Sequence, residues 1–151
     1  MDRGSRSVTH AAGWLGEQSS AELCSPVLIV KRIALARVDL SSEKAMQYGI
    51  AVALESAGIP FEREHRLSNE DIPDFLIPCP RELTQWIAVE CKLKGRGGGP
   101  RKIDTYRQIE RYARHPEVAA IILASNLSMG LPAEIGCKPV YAASLSKGWL
   151  L

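Results

Sequence analysis

The sequence predicts an α/β fold, a mixed sheet flanked by helices with the element order α-β-β-β-α-β, and three observations lead there. A capped, amphipathic helix pattern at 42–57 precedes three short apolar runs, and a second such pattern at 100–114 leads into the apolar stretch Val118–Ser125. The first three runs are joined by connections short enough for an antiparallel meander, whereas a helix-length segment separates the third from the fourth. The fourth is apolar on both faces, as a buried parallel strand reached by a helical crossover requires. With 151 residues, 46% apolar and 24% charged, the chain can build a real core and is neither disordered, fibrous nor repetitive.

The elements follow in order. Residues 1–20 are rich in Ser, Gly and Ala without a sustained period and read as a mobile arm. Residues 27–38 are apolar at too many positions for one period to win; the β-branched Val27, Ile29, Val30 and Ile33 tilt the reading towards strand. Residues 1–40 thus form an N-terminal arm and extra element, and 41–151 the main domain. Ser41 or Ser42 can cap the first helix, Gly58 follows its last apolar residue, and Met46, Ile50, Ala53 and Ala57 recur at steps of three and four. Glu43 lies on the same inward stripe, at its N-terminal end, where an acid also complements the helix dipole.

After the Gly58-Ile59-Pro60 turn come strand candidates at 61–67, 72–77 and 86–94. Alternation in the third puts Ile87, Val89, Cys91 and Leu93 on one face, and Trp86, Ala88, Glu90, Lys92 and Lys94 on the other. The GRGGGP loop then ends in Pro100, suited to open a helix that His115-Pro116 terminates. Ile103, Tyr106, Ile109, Tyr112 and Ala113 form its apolar arc, with Arg107, Arg111 and Arg114 opposite. A turn or short helix near 131–135 and a last strand near 138–145 complete the chain.

Composition narrows the function classes. The longest apolar run, Val118 to Ala124, has seven residues against the roughly 20 needed to cross a bilayer, so no membrane span is expected. The N-terminus lacks the apolar stretch of a secretory signal, which points to the cytoplasm. Cys24, Cys79, Cys91 and Cys137 are scattered and read as buried reduced thiols; His10, His65 and His115 have no metal-ligand spacing and read as incidental. Charge is unevenly spread: Lys92 to Arg114 carries a net +6 and Glu43 to Asp74 a net −4. One segment could meet a polyanion and the other hold a cation.

The candidate residues for chemistry are Glu43, Pro73-Asp74, Glu90-x-Lys92 and Gln108-x-x-x-Tyr112. Their combination resembles the PD-(D/E)XK phosphodiesterase superfamily, the restriction-endonuclease-like nucleases, on IPDFLI (72–77) and IAVECKLK (87–94), with fifteen residues between Asp74 and Glu90. The TYRQIERY helix (105–112) is similar to that of the exonuclease-like branch. The resemblance covers about 43–125 and implies a restriction-endonuclease-like core. It implies Mg²⁺ or Mn²⁺ held by Asp74, Glu90, the backbone carbonyl of Cys91 and Glu43, with Lys92 orienting or deprotonating the attacking water. It further implies that Gln108 and Tyr112 contact the DNA backbone or hold the site's geometry, and that Arg96, Arg101, Lys102, Arg107 and Arg111 bind phosphates.

The expected function is therefore a small metal-dependent DNA nuclease without strong sequence specificity, of a size common among phage-derived or accessory nucleases. Two alternatives share the motifs: a catalytically silent member of the fold that binds nucleic acid or protein, and a Holliday-junction resolvase, which would need a homodimer.

Overall fold

The computed structural model describes residues 25–79, 85–95 and 97–145. The arm expected at 1–20, with Cys24 and Arg96, lies outside them. Three helices and six strands are described: α1 (Pro26–Leu35), α2 (Glu43–Ser56), β1 (Glu62–Arg63), β2 (Phe75–Pro78), β3 (Trp86–Lys92), α3 (Lys102–Ala113), β4 (Val118–Ser125), β5 (Glu134–Ile135) and β6 (Lys138–Ser144). The strands form one mixed sheet in the order β1-β2-β3-β4-β6-β5. β1, β2 and β3 are the antiparallel meander, and β3, β4 and β6 run parallel. None of the helices is long and apolar enough to cross a membrane.

The first departure from the sequence reading is α1, a helix where β-branched residues favoured a strand. Pro26 opens it, and Ile29 and Ile33, four apart, are fully buried. A strand over the same residues would set Lys31 on the face of Ile29 and Ile33; helical spacing turns Lys31 into solvent. Each buried isoleucine is worth about 1.5–3 kcal/mol, more than the ~1 kcal/mol span of strand propensity. α2 follows expectation. Ser42 caps it by accepting the Ala45 N–H at 3.0 Å, and Gly58 takes the left-handed conformation (φ +70°) just past its end.

The helices cover both faces of the sheet. On one, α1 and α2 bury Ile29, Ile33, Met46, Ile50 and Leu54 against Phe75, Ile77, Ile87, Val89 and Ile122. On the other, α3 buries Ile109, Tyr112 and Ala113 against Leu76, Ala88, Ile121 and Leu123. β3 thus keeps the predicted alternation while being buried on both sides. Ile103, assigned to the apolar arc of α3, is 47% exposed; Thr105, one turn into the helix, takes the buried place instead. The strand expected at 61–67 shrinks to β1, and 131–135 holds β5 rather than helix, hairpinned onto β6.

Candidate functional site

Register brings the two acids together. Phe75 pairs with Val89 and Leu76 with Ala88, so the same pairing carried one residue further sets Asp74 opposite Glu90, and Pro73 opposite Cys91. The chain bends at Asp74, just before β2, and α2 reaches its carboxylate. Gln47 Nε2 donates to Oδ1 at 2.9 Å, and the Cys91 backbone N–H to Oδ2 at 2.7 Å. Arg63 Nη2 in turn donates to Gln47 Oε1 at 2.9 Å, which orients that amide.

Glu90 is 4% exposed and has three donors. Lys92 Nζ and Gln108 Nε2 each lie 2.8 Å from Oε1, and the Tyr112 hydroxyl donates to Oε2 at 2.9 Å. A buried carboxylate tolerates its charge only when paired in this way. Gln108 and Tyr112, one helical turn apart, are themselves joined at 2.9 Å. Both side chains are spent on Glu90, and Tyr112 is 1% exposed.

Asp74 is less well provided for. Burial pushes its carboxyl up to about 7; the charges of Glu90 and Glu43 add to this, while the Cys91 N–H and Lys92 oppose it. Burial, and then the Glu90 charge, also push the Tyr112 hydroxyl well above its ordinary range, so it remains a donor. Glu43 is the exposed first residue of α2, close enough for its charge to be felt by Asp74 and Cys91.

The donor set suits a hard divalent cation. Among the described residues no three His, Cys, Asp or Glu side chains gather into a ready-made cage. What converges is two carboxylates and, beside them, a backbone carbonyl. Cys91 directs its N–H to Asp74, and a strand residue sends N–H and C=O to the same side. The residue opposite, Pro73, has no N–H to offer that carbonyl. Two carboxylates and a carbonyl leave room for water and phosphate oxygens, which is how Mg²⁺ is usually held.

The basic residues divide. Arg111 pairs with Asp71 at 2.9 Å, and Arg101 with Asp104 at 2.8 Å. Arg107 is exposed on α3, and Lys102 lies at the start of that helix. Arg111 therefore serves first to fasten α3 to the segment that carries Asp74. His115 strengthens the same fastening, with its Nε2 2.8 Å from the other Asp71 oxygen. The histidine that spacing left incidental is thus part of a clamp more than forty residues wide in sequence. Gln47 was also missed, although it stands four residues after Glu43 on one helix face. The Asp71 clamp left no local signal at all. Cys91 is the buried thiol expected, but Cys137 is exposed in the β5–β6 turn.

Comparison with protein-family models, with curated proteins and with solved structures gave no match to this chain.

Proposed function

We propose that this chain is a metal-dependent deoxyribonuclease that hydrolyses phosphodiester bonds without strong sequence readout, built on a restriction-endonuclease-like core. The observation that carries the reading is that Asp74, in the bend just before β2, is buried close enough to Glu90 of β3 to feel its charge, with Lys92 Nζ 2.8 Å from Glu90 and the Cys91 N–H bound to Asp74. An ion pair made for stability would explain Glu90 and Lys92, but not a second acid driven into the same place.

Mg²⁺ or Mn²⁺, held by Asp74, Glu90 and the Cys91 carbonyl, would polarise a phosphoryl oxygen and acidify water. The remaining work falls to side chains. Gln108 and Tyr112 keep Glu90 in one orientation, and Gln47 does the same for Asp74. Lys92, 17% exposed, can orient the attacking water and stabilise the charge that builds on phosphorus. Glu43 adds negative potential at the mouth. Arg107, Lys102 and Arg101 line α3 where a phosphate backbone would approach, supplying affinity without base readout. In the loop after β3, Gly95 and Gly98 exchange backbone hydrogen bonds of 3.1 and 3.3 Å.

The test is cleavage of linear, circular and branched DNA with Mg²⁺ or Mn²⁺. Activity is expected in the wild type and absent in Asp74→Ala and Lys92→Ala. Undiminished cleavage in excess EDTA, or by Asp74→Ala, refutes the reading.

A further inference from the structure

Between β4 and β6 the chain returns across the α3 side of the sheet through residues 126–133, with Leu127, Met129 and Leu131 packed on the second core. Under this return lies a cleft of about 440 Å³, within the roughly 300–1,000 Å³ range of small-ligand pockets. Leu123, Ser125, Ala142 and Ser144 line its floor; Met129 and Gly130 line its roof.

Register ties this cleft to the candidate site. Lys92 pairs with Ser125, and Ser125 with Ser144, forming one row across β3, β4 and β6. Cross-strand partners share a face, so Ser125 follows Lys92 on the side of Glu90, their backbones one strand spacing of about 4.8 Å apart. Ser125 Oγ accepts the Leu127 N–H at 3.0 Å, so its own proton is the group it offers to a ligand. At the roof, Lys102 Nζ lies 3.6 Å from where a side chain on Gly130 would begin. One turn further along α3, on its buried face, Thr105 Oγ1 has no hydrogen-bond partner among the described residues.

We propose that this cleft is the subsite for one nucleotide of the cleaved strand, the nucleotide next to the scissile phosphate. The inference rests on the nuclease reading and specifies where its substrate lies. The ammonium group of Lys102, beside Gly130 at the roof, calls for an anionic ligand. Leucine and methionine walls suit a flat heterocycle, and the Ser125 hydroxyl suits its polar edge or a sugar. A free anion needs no apolar wall, and a lipid chain needs no hydroxyl. Ser125 and Ser144 of the cleft floor share the row that holds Lys92, so a strand whose phosphate sits at the acids would bring its neighbouring base over that floor.

The experiment uses the full ¹⁵N-labelled chain in EDTA, titrated separately with thymidine 5′-monophosphate, thymidine and inorganic phosphate. The nucleotide is expected to shift the amides of Ser128, Gly130 and Ala142, with thymidine or phosphate binding about tenfold more weakly. Ala142→Leu, at an exposed strand position on the cleft floor, should weaken nucleotide binding about tenfold and lower kcat/KM on DNA similarly. Lys102→Gln should weaken the nucleotide but not thymidine. Wild-type DNA cleavage with silent cleft amides overturns the subsite while leaving the nuclease reading intact. Equal responses to nucleotide and phosphate overturn it in favour of a plain anion site. Cleft shifts in a chain that cuts no DNA support the nucleotide site and refute the nuclease reading instead.

Discussion

Replacing Asp74 by Asn should make the metal-free protein more stable at alkaline pH, against the usual effect of a polar substitution in a buried place. The Asp74 carboxyl is raised from 3.8 to about 7, by burial first and then by Glu90. A raised folded value means the protonated form is preferred, so its stability contribution is full below about pH 4 and lost as pH rises through about 7. Some three pKa units at 1.36 kcal/mol each bound the cost of the ionised carboxylate at about 4 kcal/mol. Asparagine removes that cost and keeps one oxygen for the Cys91 N–H. Its amide, however, then faces the Gln47 amide, which Arg63 holds in place, and this mismatch costs roughly 1–3 kcal/mol. The net gain is about 1–3 kcal/mol at pH 8, roughly 2–10 °C in Tm for a chain of this size. Thermal melts of wild type and Asp74→Asn in EDTA at pH 5 and pH 8 measure it: the gain should appear at pH 8 and shrink at pH 5. Saturating Mg²⁺ should then raise the wild-type Tm and leave the variant unmoved. A variant less stable than wild type at pH 8 in EDTA, or one that Mg²⁺ stabilises equally, refutes the reasoning.

Other outcomes follow from the same geometry. Asp71 is held below the usual carboxylate range: burial raises it, but hydrogen bonds from His115 and Arg111 and their charges outweigh burial. Its contribution is therefore present above about pH 4 and lost on acidification, and Asp71→Asn should cost roughly 2–3 kcal/mol at pH 7 in denaturant melts, with the difference from wild type shrinking as pH falls below about 4. Tyr112→Phe takes one donor from Glu90 and should cost about 1–3 kcal/mol in stability and lower kcat; an unchanged kcat would show that Glu90 needs no brace. Glu43→Gln should lower kcat at saturating Mg²⁺ and DNA while moving stability by less than about 1 kcal/mol; untouched turnover returns Glu43 to a helix-dipole role. Arg107→Ala should flatten the salt dependence of DNA binding by up to about 0.9 for each phosphate it no longer neutralises, whereas Arg111→Ala should first lower Tm through the Asp71 clamp.

Local pattern alone determined the α/β class, the meander, the crossover helix, a serine cap at 41 or 42 and the two faces of β3, because each rests on periodicity or on turn chemistry within a few residues. It also set Glu90, Lys92, Gln108 and Tyr112 at spacings that fix their faces on a strand and a helix. Tertiary structure decided the rest. α1 is a helix because the sheet rewards burial of Ile29 and Ile33 and punishes burial of Lys31, a choice that propensity cannot see. Asp74 meets Glu90 only through strand register, and Gln47 reaches Asp74 only because α2 packs there. The clearest case is Arg111, one of a row of basic residues in the sequence, where all read alike as phosphate ligands. Asp71, forty positions away, claims it in the folded chain. Such a pairing leaves no trace in spacing, since the distance that matters is set by how the helix lies against the segment before β2.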